Sequence, residues 1–290
     1  MTKKIGILGL GSIGTRHFRN FEALSCEVRG YDPVIIESVI TMERGNLMDW
    51  AEAIVIASPT QQHYEDINDC HYASIPMLVE KPIVSLPLQW ASVPTHNVLM
   101  VGYNLRFHSC VKRVKHWMGE GLIGKPLWAR FTCGQFCDRL DYLRDGVILN
   151  WSHEIDLALF LLGPATLVTA AGRNDPEDMV DIILDHNVTR CQTAIHLDYL
   201  TRFERRGFMI VGTEGSIEAD LISRQALIRD NKGSIPEIYY GRDNFDRNYL
   251  EEDRTFLARL NGKTTDGCTA DEAMHVANIC LLAKEYIRGR

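Results

Sequence analysis

The fold is decided by residues 4–17, which read KIGILGLGSIGTRH. The first five of these are mostly apolar, as is typical of a buried parallel strand. A GxGxxG pattern follows, and a helix is predicted to run on through about Leu24. In this setting Gly9 permits a sharp turn, Gly11 lets a pyrophosphate approach the backbone, and Gly14 lets the helix lie close to the strand. The stretch therefore predicts the start of a nucleotide-binding α/β domain.

An acidic residue stands where it would complete a dinucleotide site. Residues 26–32 predict a second strand, which ends in Asp32, 18 residues beyond Gly14. A carboxylate at this place accepts hydrogen bonds from both ribose hydroxyls and repels a 2′-phosphate. The free N–H groups of the helix start, at Ser12 and Ile13, are predicted to face the phosphates. These residues predict dinucleotide binding, with NAD favoured over NADP. The alternative is a glycine-rich turn in some other α/β protein.

Apolar strands continue to alternate with helices in the first third of the chain. Further strands are predicted at residues 53–57, 76–79 and 98–102, with helices at 35–44, at 63–73 and after Ser85. Four β-α steps in order predict a doubly wound parallel sheet. The sequence changes character after residue 103, so we predict two domains, at residues 1–103 and 104–290.

The second predicted domain has strands with one apolar face. Apolar and polar residues alternate at 127–136, 166–172, 179–184, 191–199, 207–211 and 216–221. This alternation predicts an open, mainly antiparallel sheet. Helices are predicted at 108–118, 152–163, 245–260 and 269–287. The apolar sheet face, with Ile182, Leu184, Ile195 and Leu197, needs a cover. We therefore predict a homo-oligomer, either a homodimer or a homotetramer.

Composition restricts the partners. The 290 residues are 46% hydrophobic and 24% charged, which is ordinary for a globular protein. A net charge of −7 without a Lys/Arg run argues against nucleic acid. We expect no signal peptide and no membrane span. The eight cysteines form no CxxC pair, so we predict reduced thiols in a cytoplasmic protein and no metal site.

Two strand ends carry polar residues to the predicted nicotinamide edge of the parallel sheet. Ser58, Pro59 and Thr60 follow one strand, with His63 opening the next helix, and Glu80, Lys81 and Pro82 follow another strand. Burial and the charge of an oxidised nicotinamide would bring the pKa of Lys81 toward the working range. Lys81 would then exchange a proton with a substrate hydroxyl. The alternative is a surface lysine paired with Glu80.

A second set of candidates lies around the buried helix at 152–163. His153 and Asp156 are three residues apart and share a face, and a histidine near a helix start in a cleft can carry protons. Asn150 is predicted to line the same pocket. The alternative for His153 is a core histidine bonded to backbone.

The domain crossover carries two further candidates, Tyr103 and Arg106. Arg106 is suited to clamping a substrate carboxylate or phosphate. Its alternative role is to tie the two domains together.

The motifs together resemble the Gfo/Idh/MocA family, the glucose–fructose oxidoreductase and inositol dehydrogenase group. The matching segments are Gly9–Gly14 with His17, Ser58–Thr60 with His63, Glu80–Pro82, 102–108, 123–126, 152–156 and 212–216. They follow the family's order over nearly the whole chain.

The resemblance implies an N-terminal Rossmann domain and a C-terminal α/β domain with an open sheet, often used for oligomerisation. It also implies NAD(P)-dependent oxidation or reduction of a sugar, polyol or nucleotide-sugar carbon. The roles of the family's lysine and histidine at the reacting hydroxyl carry over to Lys81 and His153, and Lys81-Pro82 is expected to be cis. The family usually has an Asp three or four residues before the histidine, where this chain has Asn150 and Leu149.

Two classes of function follow. The first is a cytoplasmic NAD-dependent dehydrogenase acting on a carbohydrate-like secondary alcohol or its ketone, including a form that re-reduces its product with tightly held NAD. The second is a dinucleotide-binding regulator that kept the fold and lost the chemistry. Lys81 and His153 favour the enzyme, whereas Asn150 favours the regulator.

Overall fold

The structure is a computed structural model that describes residues 2–35, 41–84, 89, 92–138, 146–242 and 244–289. The helices predicted at 35–44 and after Ser85 lie largely outside the described residues. The chain divides into two compact units, Met1–Asn104 with Phe245–His275 and Leu105–Asn244 with Val276–Arg290. The sequence placed residues 245–275 in the second domain, whereas the structure groups them with the first unit.

The described helices are α1 (Ser12–Ala23), α2 (Arg44–Trp50), α3 (His63–Tyr72), α4 (Ser109–Gly119), α5 (Val147–Asn150), α6 (His153–Leu162), α7 (Phe245–Leu260) and α8 (Ala270–Arg288). Six of the described helices lie where helices were predicted, whereas α2 and α5 were not predicted. Short 3-10 turns occupy Thr60–Gln62 and Asn104–Phe107. None of the described helices is both long and apolar enough to cross a membrane.

The first unit is built on a parallel sheet of five strands. These are β1 (Lys4–Leu8), β2 (Glu27–Tyr31), β3 (Ala53–Ile56), β4 (Met77–Glu80) and β5 (Val98–Gly102). Their order is β2-β1-β3-β4-β5, and every neighbouring pair is parallel. The central strands are fully buried, with Ile5, Ile54 and Val55 at 0% exposure, because such a sheet is covered on both faces. The predicted doubly wound sheet is confirmed, and its carboxyl edge collects the ends of β1, β3 and β4.

The second unit is built on an eight-stranded sheet. The strands are β6 (Pro126–Gly134), β7 (Ala165–Gly172), β8 (Met179–His186), β9 (Gln192–Asp198), β10 (Arg205–Gly212), β11 (Gly215–Asp220), β12 (Gln225–Asp230) and β13 (Glu237–Tyr240). Their order is β13-β12-β11-β10-β6-β9-β8-β7, and only the β6–β9 pair among them is parallel. The predicted open, mainly antiparallel sheet is confirmed, whereas β12 and β13 were not predicted.

The apolar face chosen to argue for an oligomer is covered within the chain. Its four residues are at most 1% exposed, namely Ile182, Leu184, Ile195 and Leu197. Helix α6 packs on β6 and β9, and α5 packs on β8 and β9, so this face already has its cover. That argument for oligomerisation was wrong. A different part of the sheet carries exposed apolar area, with Trp128 at 41% exposure.

Candidate active site

The glycine-rich loop between β1 and α1 has the geometry of a phosphate cradle. Gly9 has φ +89°, and a Cβ there would lie 2.6 Å from the carbonyl oxygen of Ala57. A Cβ at Gly14 would lie 1.8 Å from the Gly9 carbonyl oxygen, so only glycine fits where α1 crosses the loop. A Cβ at Gly11 would meet nothing within 4 Å. The loop thus leaves open space beside the start of α1, where a pyrophosphate fits.

The carboxylate of Asp32 lies next to this loop at the end of β2. Its Oδ2 accepts the N–H of Leu10 at 2.8 Å, and its Oδ1 accepts the N–H groups of Val34 and Ile35 at 2.9 and 3.0 Å. Partial burial opposes ionisation, but these three N–H groups outweigh it and lower the pKa of Asp32. The residue is therefore an anion, as ribose binding requires.

An open cleft of about 610 Å³ runs along the glycine loop and the first turns of α1. Its lining includes Gly11, Ser12 and Thr15 from the loop and helix start, and Arg16 and Arg19 from the helix. Asp246 also lines the cleft and pairs with Arg16 at 3.1 Å, so the backbone N–H groups and the Arg19 guanidinium are the groups that suit a ligand with phosphate groups. The residues present therefore fit a dinucleotide.

The ends of β3 and β4 are joined by a buried histidine. His63 is 1% exposed, with Nε2 2.9 Å from the Ser58 carbonyl oxygen and Nδ1 3.0 Å from the Pro82 carbonyl oxygen. Burial lowers the pKa of His63. The neutral ring thus lies between the two loops, donates its one N–H to one of the two carbonyl oxygens, and is not open to a ligand. Pro59 is exposed and Thr60 half-buried, so these two flank the edge from the outside.

Lys81 follows β4 directly and lies half-buried at the carboxyl edge. Its peptide bond to Pro82 is cis, as the resemblance implied. Its backbone N–H donates to Oε2 of Glu80 at 3.2 Å. Tyr103, one residue beyond β5, is only 2% exposed, so nearly all of its side chain packs against other residues of the protein.

Sequence reasoning missed the partners that surround Glu80. His17 appeared only as a matching motif residue, and Asp253 did not appear at all. In the structure, Nε2 of His17 lies 3.0 Å from Glu80 Oε1, and Nδ1 lies 2.6 Å from Asp253 Oδ1. The position of His17, three residues after the glycine loop, was a sequence signal that could have identified it. Asp253 is 236 positions from His17, and no local pattern in the sequence connects the two residues.

In the second unit, His153 is the first residue of α6 and is half-buried. Just before it, Asn150 donates its Nδ2 to the hydroxyl of Tyr199 at 2.8 Å. The ring of Trp151 meets that of Tyr199 edge-on at 4.7 Å. The Asn150 side chain is therefore held in a fixed direction by a buried tyrosine, three residues from His153.

The remaining polar residues of α6 are buried and paired. Arg106 holds Asp156 through Nη2 at 2.6 Å and through Nε at 3.0 and 3.1 Å, and its guanidinium lies 4.7 Å from the centre of the Phe160 ring. Glu154 is held by Arg206 at 2.6 and 3.0 Å. With 2% and 0% exposure, Arg106 and Asp156 have the contacts of a structural pair within the second unit.

All eight cysteines are free thiols, as predicted. Burial raises the pKa of Cys70 to about 12 and that of Cys191 to about 11. These two thiols therefore stay protonated and are poor nucleophiles.

Comparison with known proteins agrees with the geometry. Residues 111–218 match the profile of the GFO/IDH/MocA C-terminal domain. Myo-inositol 2-dehydrogenase of Thermotoga maritima is 24% identical, over 99% of this chain and 97% of its own. D-apiose dehydrogenase of Rhizobium rhizogenes is 31% identical over 56% of this chain and 53% of its own.

Among solved structures, levoglucosan dehydrogenase in complex with NADH and L-sorbose superposes with a TM-score of 0.87 at 18% identity. The match covers 100% of this chain and 98% of that one, and at such identity it shows a shared fold. The profile match over residues 111–218, the whole-length relative and the two sheets agree with the motifs, and together they support the resemblance to the Gfo/Idh/MocA family.

Proposed function

We propose that this protein is an NAD-dependent oxidoreductase that moves a hydride to or from a secondary alcohol or keto carbon of a sugar, polyol or nucleotide sugar. One observation carries the proposal. The glycine cradle, the anionic Asp32 and Lys81 lie at the carboxyl ends of strands in one parallel sheet. Ligands of open α/β sheets bind at that edge. The names of the relatives, dehydrogenases of inositol and apiose, support the substrate class.

NAD, when bound, supplies the hydride acceptor or donor. The glycine loop and Asp32 hold the cofactor, with Ser58, Pro59, Thr60 and Glu80 shaping the edge that receives its nicotinamide half. Asp32 repels a 2′-phosphate, which is why we propose NAD over NADP.

Lys81 and His153 are the proposed catalytic pair. Lys81 exchanges a proton with the substrate hydroxyl while hydride leaves or joins the carbon, and His153 orients that hydroxyl and shares the proton. Asn150 stands where the family usually has an acid, so this pair works without that added negative charge. Tyr103, Arg106 and Asp156 remain predicted substrate contacts, and their burial makes support of the pocket walls the role that we favour for them.

The proposal includes a cytoplasmic location and a homodimer or homotetramer. The partly exposed face of the second sheet carries Trp128 and Arg130, and with Phe203 of the loop before β10 it lines an open cleft of about 700 Å³. We propose this face as the contact between subunits. Light scattering at micromolar concentration tests the oligomer, and a monomer there contradicts it.

A two-step experiment tests the function. First, a thermal-shift screen with NAD, NADP, polyols and nucleotide sugars finds ligands, because a ligand that binds the native state raises the melting temperature. Second, each hit is incubated with the protein and NAD, and NADH formation is followed. We expect stabilisation by NAD and NADH formation with at least one polyol or sugar. NAD binding without turnover on any hit would instead favour the non-catalytic regulator.

A further inference from the structure

A buried histidine lies between two carboxylates in the first unit. The His17 side chain has 0% exposure and contacts Asp253 through Nδ1 and Glu80 through Nε2, at 2.6 and 3.0 Å. A neutral imidazole carries one N–H, so only the imidazolium donates to both carboxylates. Burial alone would lower the pKa of His17, and burial raises the pKa of Asp253, but the two carboxylates raise the pKa of His17 well above its usual value. His17 is therefore a buried cation.

Asp253 anchors one end of this arrangement. It lies on α7 with 0% exposure, and its second oxygen accepts Nδ2 of Asn20 at 2.8 Å. Since His17 and Asn20 are three residues apart on α1, both of its partners come from one helix face. This fixes the carboxylate relative to α1.

Glu80 forms the other end and reaches the proposed catalytic lysine. Its Oε1 contacts His17, and its Oε2 accepts the backbone N–H of Lys81 at 3.2 Å. The space for this carboxylate comes from Gly102, the partner of Glu80 across β4 and β5. A Cβ at Gly102 would lie 2.9 Å from Cδ and Oε1 of Glu80. A side chain at position 102 would therefore displace the carboxylate.

We propose that Asp253, His17 and Glu80 form a buried chain of alternating charges that positions Lys81 for proton transfer. The inference rests on the proposed function, because it takes Lys81 as the group that handles the substrate proton. The chain reaches Lys81 through the backbone N–H, so its three members are positioning residues. Glu80 is the link, since one carboxylate joins the imidazolium to the peptide that carries the lysine.

Other titratable groups face His17 and belong to its surroundings. Glu252 lies on α7, and ligand atoms of His17, Glu80 and Glu252 are all within 4.8 Å of one another. The Tyr249 ring meets the imidazole edge-on at 5.8 Å, and the guanidinium of Arg16 lies 4.7 Å from the centre of that ring. Such a group of ligand atoms also suits a divalent cation. Because both ring nitrogens already have carboxylate partners, we assign a hydrogen-bonded imidazolium here.

Three variants separate positioning from folding. Gly102→Ala displaces the Glu80 carboxylate without removing a charge, and Asp253→Asn removes the outer charge. Phe18→Leu, a change at a 6% exposed residue of α1, is the matched control for lost packing. By calorimetry we expect wild-type NAD affinity in Asp253→Asn and in the control, because the glycine loop and Asp32 are untouched, and at most a small loss in Gly102→Ala, which moves Glu80 at the edge proposed for the nicotinamide half. Single-turnover hydride transfer should fall about 10²-fold in the first two, as expected for a misplaced group, and stay normal in the control.

A second readout does not depend on activity. Nitrogen NMR of the His17 ring should show an imidazolium at neutral pH in the wild type and a lower titration midpoint in Asp253→Asn. A wild type without turnover would end the proposed function, whereas the NMR result would still decide the charge chain. A neutral His17, a normal rate in Gly102→Ala, or a stoichiometric divalent metal that is lost in His17→Gln would overturn the inference.

Discussion

The buried ion pair between Arg106 and Asp156 allows a quantitative prediction of stability. The side chains are 2% and 0% exposed and share three contacts of 2.6–3.1 Å. Asp156→Asn keeps the shape of the side chain but leaves the buried guanidinium without a counter-charge. Removing one partner of a buried pair costs about 3–5 kcal/mol, a large share of the ~5–15 kcal/mol that stabilises a typical domain.

Urea denaturation followed by circular dichroism measures this cost. The matched control is Glu218→Gln, since Glu218 and Arg229 form a pair at 3.4 Å with 38% and 37% exposure. An exposed ion pair of this kind contributes about 0–1 kcal/mol to the free energy of unfolding, so Glu218→Gln should change it little. The double change Arg106→Met with Asp156→Leu should recover much of the loss, because apolar residues of similar volume replace buried pairs well. The reasoning is refuted if Asp156→Asn and Glu218→Gln unfold at the same urea concentration.

Four further predictions concern binding and pH. Gly11→Ala should keep the melting temperature but weaken NAD binding by about tenfold or more in calorimetry, since the added methyl meets only the space left for pyrophosphate; unchanged affinity contradicts this. Asp32→Ala should lower the ratio of NAD affinity to NADP affinity. A wild type that binds NADP more tightly than NAD would show that the NAD preference assigned to Asp32 is wrong. Asn150→Asp should shift the pH–rate profile, because the added carboxylate changes the titration of Lys81 and His153, which are coupled; no shift would place Asn150 outside the site. The free energy of unfolding of the wild type relative to His17→Gln should be largest below pH 6.5 and decline as pH rises through the raised pKa of His17. A difference that is constant with pH would mean that His17 is neutral.

Local patterns were enough to predict the parallel sheet of the first unit. Its strands are short apolar runs that end in glycine or polar turns, and they appear where expected. The last helix also starts as predicted, because Thr269 and Glu272 exchange the two hydrogen bonds of a capping box at 3.2 and 2.8 Å. Such features depend on neighbours within a few residues, which the sequence displays directly.

Features that depend on distant residues were not predictable. Alternation showed that the strands of the second sheet have an apolar face, but it did not show that α5 and α6 cover that face. Strand β13 has only four residues and no fully buried side chain, so its periodicity is weak. The Glu154–Arg206 pair joins positions 52 apart, and nothing local in the sequence links them.

Single-turnover hydride transfer in Lys81→Met tests the central claim most directly, once the ligand screen has supplied a substrate. The change keeps the length of the side chain and removes its charge and proton, so the rate should fall by about 10²–10⁴-fold while NAD affinity stays at the wild-type value. His153→Asn should behave alike, and the double variant should be little slower than the slower single, because residues that act as a unit are not additive. A wild-type rate in Lys81→Met would contradict the catalytic role, and loss of NAD binding in that variant would make Lys81 a structural residue instead.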